Sequence, residues 1–289
     1  MGIQALNRIV LEYLVETGKK VRAMGKAKMG KKVLGEVPGR PEDLEIEIDR
    51  VGEDILKNLL AKYKVNAAIF SECKVVPAAS QKPDVYAAID PFDNTILFFS
   101  GFRHAWYTAL TFFDKERQPL CGGIGDILDG KAWIFDGKKT FLLDVASKTK
   151  TNAVPHAHRS LEEPIVLASY LMSSQYSVKF LRFFGDAIKR MHPKALLYPF
   201  GGSHIYGYLA DGRVDAYIMF DEPRTEISPG FAIAKSVGCE IGEIDRKGNW
   251  HDYEFIPSKH QGKVGFFVAA CCKAMRDSIS SYYKKTKKQ

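Results

Sequence analysis

The 289-residue sequence predicts a mixed α/β chain, α+β in its first half and α/β in its second. Three observations support that reading. The chain opens on apolar residues spaced for an amphipathic helix. The stretch Trp106–Leu143 breaks into short apolar runs at turn residues, as antiparallel strands do. Beyond Ile165, strand-like and helix-like runs alternate, the signature of an α/β unit.

Taken in order, Leu6, Ile9, Val10, Tyr13 and Leu14 recur at helical spacing. Gly25, Gly30, Gly35 and Gly39, with Pro38 and Pro41, then predict a mobile basic loop and no regular element. Leu44, Ile46 and Ile48 alternate with Glu45, Glu47 and Asp49, a half-buried strand with one acidic face. Val51, Ile55 and Leu59 predict a helix over Val51–Tyr63. Two short apolar runs follow, each ending in acid: Ala67–Phe70 leads into Ser71-Glu72, and Val85–Ile89 into Asp90. The strands of Trp106–Leu143 are divided by turns at Gly122-Gly123, Asp129-Gly130 and Asp136-Gly137-Lys138-Lys139. The polar, Pro- and His-dotted stretch Ser147–Pro164 marks a boundary between two halves, residues 1–150 and 151–289. Past it, strands are predicted at Ile165–Ala168, Ala195–Tyr198, Val214–Phe220 and Val264–Val268. Helices are predicted at Tyr176–Lys189, His204–Ala210, Ile227–Val237 and Ala269–Tyr283.

With 46% hydrophobic and 26% charged residues, the composition is that of an ordinary soluble protein. No apolar run approaches the ~20 residues of a membrane span. Met1–Val15 is amphipathic and carries Glu12, unlike a secretory leader. The five cysteines form no C-x-x-C pair and are odd in number, which predicts free thiols in a reducing compartment and a cytoplasmic protein. The net charge of +8 favours anionic ligands. Its densest stretches, Lys19–Lys32 and the tail with Lys284, Lys285, Lys287 and Lys288, read as a solvated helix end and a solvated terminus. No aromatic-interleaved basic motif speaks for nucleic acid.

The chemistry concentrates in Asp90-Pro91-Phe92-Asp93-Asn94-Thr95, directly after a buried strand. A D-P-x-D run is expected by chance only about 0.05 times in a chain of this composition. Pro91 fixes φ and predicts a sharp turn where the strand ends. Two carboxylates three residues apart can converge there, and converging carboxylates either share a proton or bind a cation. Oxygen ligands in an open groove suit Mg²⁺. Asn94 and Thr95 are placed at a helix N-terminus, where free N–H groups favour an anion. The same run also fits an Asx turn that only caps this helix.

The Ser71-Glu72 pair, the D-P-x-D-x-T run and the strand–turn–helix around Glu226 resemble the inositol monophosphatase/fructose-1,6-bisphosphatase superfamily, whose members are Mg²⁺-dependent phosphomonoesterases. Asp215-Ala216-Tyr217, eleven residues before Glu226, fits the same alignment. The resemblance implies a layered α/β/α/β/α sandwich of the sugar phosphatase type, a homodimer, and two or three Mg²⁺ ions. It assigns the metal ligands to Glu72, Asp90, the Phe92 carbonyl, Asp93 and Glu226. Thr95 would orient an attacking, metal-activated water, with Asp49 or Glu72 helping to take its proton. The N–H groups of Asn94 and Thr95 would hold the phosphate of the substrate, a small phosphorylated metabolite, and Gly201, Gly202 and Ser203 would either face that substrate or serve tight packing of the following helix. Arg103 is a candidate second-phosphate contact beside the loop residue His104, and Arg224 a candidate salt-bridge partner of Glu226.

The sequence also departs from the superfamily's pattern. Glu226-Ile227-Ser228-Pro229 replaces the W-D-x-A-x-G of inositol monophosphatases and is closer to the E-x-x-P of fructose bisphosphatases. Asn94 stands for Gly or Ser, Cys73 for a second Glu, and Met219 for a Glu that contacts inositol. The implied activity is hydrolysis of an inositol-like polyol or sugar phosphate. Fructose 1,6-bisphosphate, a nucleotide 3′(2′)-phosphate, NADP, and a non-catalytic regulator that binds a phosphorylated ligand remain as alternatives. Gly122-Gly123-Ile124-Gly125 leads into a turn and so is no dinucleotide fingerprint. His156 and His158 lack further ligands for zinc.

Overall fold

The apolar stripe of the N-terminus forms helix α1 (Ile3–Lys26), which buries Leu6, Ile9, Val10, Tyr13, Leu14 and Val21. The computed structural model describes residues 2–286 apart from residues 39, 81 and 158. Gly39, His158, Lys287 and Lys288 therefore lie outside the described residues. Helix α1 runs through Gly25, and the stretch after it is not a loop: β1 (Val33–Val37) and β2 (Arg40–Ile46) pair antiparallel as a hairpin. The predicted strand through Asp49 also ends early, at Ile46. Helix α2 (Glu47–Lys62) starts there because the Asp49 carboxylate turns back to accept the Ile46 N–H at 2.8 Å, satisfying a donor at the helix start. Its buried face is Ile48, Gly52, Leu56, Leu59 and Leu60, rotated from the predicted Val51–Ile55–Leu59 stripe.

The first sheet contains β3 (Ala67–Phe70), β4 (Val75–Val76), β5 (Val85–Asp93), β6 (Tyr107–Phe113), β7 (Pro119–Asp126), β8 (Lys131–Phe135), β9 (Thr140–Asp144) and β10 (Lys150–Asn152), with α3 (Thr95–Phe99) between β5 and β6. Its order is β10-β9-β8-β7-β6-β5-β3-β4, antiparallel except where β3 runs parallel to β5. Gly122 and Gly123 lie inside β7 rather than at a turn. A Cβ on Gly123 would come within 2.7 Å of Leu14 on α1, so glycine there lets the helix approach the sheet. The chain does not turn at Pro91 either. It stays in β5 through a bulge between Asp90 and Asp93, and turns at Asn94, whose φ is +68°.

The second sheet is built from β11 (Val166–Ala168), β12 (Leu196–Tyr198), β13 (Ala216–Pro223), β14 (Glu240–Ile244), β15 (Trp250–Asp252) and β16 (Lys263–Ala270). Interspersed are α4 (Ser174–Arg190), α5 (His204–Ala210), α6 (Arg224–Ile227), α7 (Phe231–Lys235) and α8 (Lys273–Thr286). Its order is β12-β11-β13-β16-β14-β15, with β12, β11 and β13 parallel and the rest antiparallel, so the α/β expectation holds for only half of it. The β14–β15 hairpin was not predicted. The predicted helix Ile227–Val237 is split in two at Ser228-Pro229-Gly230, and the predicted start of the last helix at Ala269 is the end of β16.

Five layers result. Helices α1 and α2 cover one face of the first sheet through Leu56, Leu60, Ile89, Leu110 and Phe112. Helices α5 and α7 lie between the two sheets, with Tyr206, Leu209, Phe231 and Ile233 in one continuous core with Trp133 and Phe267. Helices α4 and α8 close the far face through Phe180, Phe184, Met275 and Ile279. No helix among the described residues is long and apolar enough to cross a membrane.

Candidate active site

The bulge in β5 aims Asp90 and Asp93 the same way, and the break between α6 and α7 presents Glu226 opposite them. One carboxylate oxygen from each of the three lies within 4.8 Å of the others. Asp93 is held on all sides. Its Oδ2 accepts from Ser203 Oγ (3.2 Å), the His204 backbone N–H (3.2 Å) and His204 Nδ1 (2.8 Å), and its Oδ1 accepts from Asn94 Nδ2 (3.0 Å). His204 is fully buried and stacked on Tyr107 at 4.5 Å. Gly202, at φ +110°, makes room for the acid: a Cβ there would lie 2.1 Å from Asp93 Oδ1.

Asp90 is different. It is 3% exposed, and neither of its side-chain oxygens has a hydrogen-bond partner. Burial, then the neighbouring Asp93, Glu226 and Glu72, push its carboxyl well above the usual range. A buried, unpartnered carboxylate among other carboxylates is the donor set a hard divalent cation requires, and the residues present fit such an ion.

Beside this cluster, Thr95 Oγ1 lies 3.0 Å from both Asp49 Oδ1 and the Phe92 carbonyl oxygen. The α2 start that overturned the predicted strand is what points Asp49 at Thr95. Glu72 is not in the three-acid cluster. Arg40, near the turn of the β1–β2 hairpin, pairs with it and also donates to Glu226 Oε1 at 2.8 Å. The loop carrying Glu72 is fixed from behind, where His260 Nε2 meets the Ser71 carbonyl at 3.0 Å. Burial pushes the Cys73 thiol up, aided by Glu72 and Glu45, which keeps it protonated.

Asp90, Asp93, Glu226, Glu72, Arg40 and Thr95 line a cavity of about 260 Å³ together with Asn94, Gly201, Gly202, Glu222 and an apolar wall, while Asp49 lies behind Thr95 and outside the lining. Ser203, predicted to face substrate, is fully buried and bonded to Asp93. Arg103 does not line the cavity; its guanidinium lies over Trp106 at 5.8 Å, and His104 packs on Phe200. Arg224 does not neutralise Glu226. It donates to the Glu254 carbonyl (3.1 Å) and stacks on Tyr253. His156 pairs with Asp215 at 2.7 Å, away from the cavity.

Arg40, His204 and Glu222 went unselected in the sequence. Glu222 is 2% exposed and accepts from Tyr217 Oη at 3.0 Å; burial and then Glu226 raise its carboxyl. Its signal was visible as a second acid, four residues before Glu226.

The model of the inositol monophosphatase family matches residues 7–270. The chain belongs to this family. No curated protein sequence matches it. Among solved structures, an inositol monophosphatase of Thermotoga maritima is 18% identical, with 97% of this chain and 96% of that one aligned at a TM-score of 0.71. The extragenic suppressor protein suhB of Bartonella henselae is 16% identical over 96% and 98%, at 0.73. The MJ0109 gene product, an inositol monophosphatase–fructose 1,6-bisphosphatase, is 21% identical over 96% and 98%, at 0.68. These likenesses place the five-layered fold among the structures of the inositol monophosphatase family.

Proposed function

We propose that the protein is a Mg²⁺-dependent phosphomonoesterase acting on a small phosphorylated polyol or sugar. The observation that carries the proposal is Asp90, whose two buried oxygens have no partner and face Asp93 and Glu226. Asp90, Asp93 and Glu226 would hold the ion, with Glu72 and the Phe92 carbonyl at the edge of the same cavity. Bound there, Mg²⁺ lowers the pKa of water and offsets the charge of the phosphate.

The chain's own groups do the rest. Thr95 Oγ1 orients the attacking water and passes its proton toward Asp49, 3.0 Å away. Glu72, tied to Arg40, is the less available acceptor. Asn94 in its left-handed turn leaves the backbone N–H groups at the start of α3 to hold phosphate oxygens. Arg40 is the only basic side chain among the described residues lining the cavity, and it is engaged by two glutamates, which favours one phosphate over a sugar bisphosphate.

The test is phosphate release from a panel of monoesters and bisphosphates with Mg²⁺ or EDTA, with Asp90→Asn as control. Mg²⁺-dependent release lost in the variant is expected. Absence of release from every ester, with phosphorylated ligands still bound, would replace the enzyme by a regulator.

A further inference from the structure

We propose that Arg40 stands in for a second divalent cation, so that the cavity takes one such ion and not two. This rests on the metal-dependent reading of the site and fixes its ion count.

Arg40 is the first residue of β2, and its guanidinium reaches the cavity from the β1–β2 hairpin. The residue is 6% exposed. Its Nη2 is bonded to Glu72, in the loop after β3, and its Nη1 donates at 2.8 Å to Glu226 Oε1, in α6. A planar fork with donors at both ends suits two carboxylates brought from distant parts of the chain, and a guanidinium keeps its charge at any working pH. The two glutamates are therefore already bridged by a cation, one that is tethered to the backbone and does not exchange with solvent.

The oxygen donors divide accordingly. Asp90, Asp93 and Glu226 converge within 4.8 Å, and both side-chain oxygens of Asp90 are buried there without a hydrogen-bond partner. That group suits one hard ion. Of the other acids lining the cavity, Glu72 is bonded to Arg40, and Glu222 accepts from Tyr217 Oη at 3.0 Å. The Phe92 carbonyl accepts from Thr95 Oγ1 at 3.0 Å. A second ion would have to take Glu72 from Arg40. It would then face the guanidinium as a like charge and leave it buried without one of its partners, which is costly for a group that cannot give up its proton. Arg40 and a second ion thus compete for the same carboxylate.

The test counts ions. Mn²⁺ is titrated into the metal-stripped protein and followed by calorimetry, with free Mn²⁺ read by electron paramagnetic resonance. The wild-type protein should bind one ion per chain. Arg40→Gln, which removes the charge, should bind two, and the double variant Arg40→Gln/Glu72→Gln should return to one. Glu72→Gln alone should still bind one, because the carboxylate it removes is held by Arg40 and not by the ion. A second ion bound by the wild-type protein as well as by Arg40→Gln would overturn the inference, as would a single ion in an Arg40→Gln variant that unfolds cooperatively. Loss of the ion in Glu72→Gln would overturn it too, and this arm decides the matter if Arg40→Gln does not fold. No ion in the folded wild-type protein defeats the metal-dependent reading itself, and the inference with it. A count of zero and a count of two therefore tell the two failures apart.

Discussion

Replacing Asp90 by Asn should stabilise the metal-free protein while abolishing its response to Mg²⁺. The carboxylate oxygens of Asp90, Asp93 and Glu226 lie within 4.8 Å of one another, so at an effective dielectric of about 20 each charged pair repels by about 3.5 kcal/mol or more. Part of this is already relieved. Arg40 faces Glu226, four hydrogen-bond donor contacts surround Asp93, and burial favours the protonated form of Asp90 itself. An Asn amide removes the remaining repulsion and can donate to either neighbour. A net gain of about 1–3 kcal/mol is expected, about 2–4 °C in Tm per kcal/mol for a chain of this size class. The assay is thermal unfolding in EDTA and in Mg²⁺. In the wild-type protein Mg²⁺ should raise Tm, because a ligand bound only to the native state stabilises it; in Asp90→Asn it should not. A Tm that falls in EDTA, or a variant that responds to Mg²⁺ like the wild type, would refute the reasoning.

Gly202→Ala should reduce turnover about 100-fold, because its Cβ would displace Asp93 and Ala disfavours φ +110°; unchanged kinetics in a purified, folded variant would contradict this. His204→Ala should weaken Mn²⁺ or Mg²⁺ binding by about 10–100-fold in calorimetry, since it removes the ring Nδ1 contact to Asp93 while leaving the backbone N–H contact, and His204→Asn should recover part of the affinity. His260 is buried with its pKa lowered by desolvation, so the unfolded chain binds more protons than the native one just below the ordinary histidine value of about 6.5. Stability should therefore fall as pH drops through and below 6.5. Denaturant titrations at pH 7.5 and 5.5 should show this loss, and His260→Gln should reduce it.

The site was legible in proportion to how local its geometry is. Asp90 and Asp93 are three residues apart on one strand, so a short run of sequence brings them together, although Pro91 produces a bulge where a turn was expected. The break after Glu226 was written in Ser228-Pro229-Gly230 and was read through. Arg40 could not be found in this way. Its partners are 32 and 186 residues distant, and its own surroundings of Gly and Pro read as loop. His204 sits in a recognised Gly-Gly-Ser-His run, yet only the packed structure shows its ring against Asp93. The glycines of β7 mark close approach of α1, a demand set by another element and indistinguishable in sequence from a turn. The β14–β15 hairpin escaped because its strands, Glu240–Ile244 and Trp250–Asp252, are too short for alternation to register.

The core between the two sheets has a consequence for how the chain must be made. Residues up to Asn152 complete the eight-stranded sheet, and α1 and α2 can cover one of its faces at once. The other face, with Phe113, Ile124 and Trp133, waits for α5, α7 and the second sheet, all beyond residue 200 except β11 and β12. A chain emerging from the ribosome thus holds a broad apolar sheet face open to water for tens of residues of synthesis, at about 5–20 residues per second. A fragment ending near residue 152 would hold it open permanently. The first half is a platform in need of its cover, and its solubility depends on the arrival of the second.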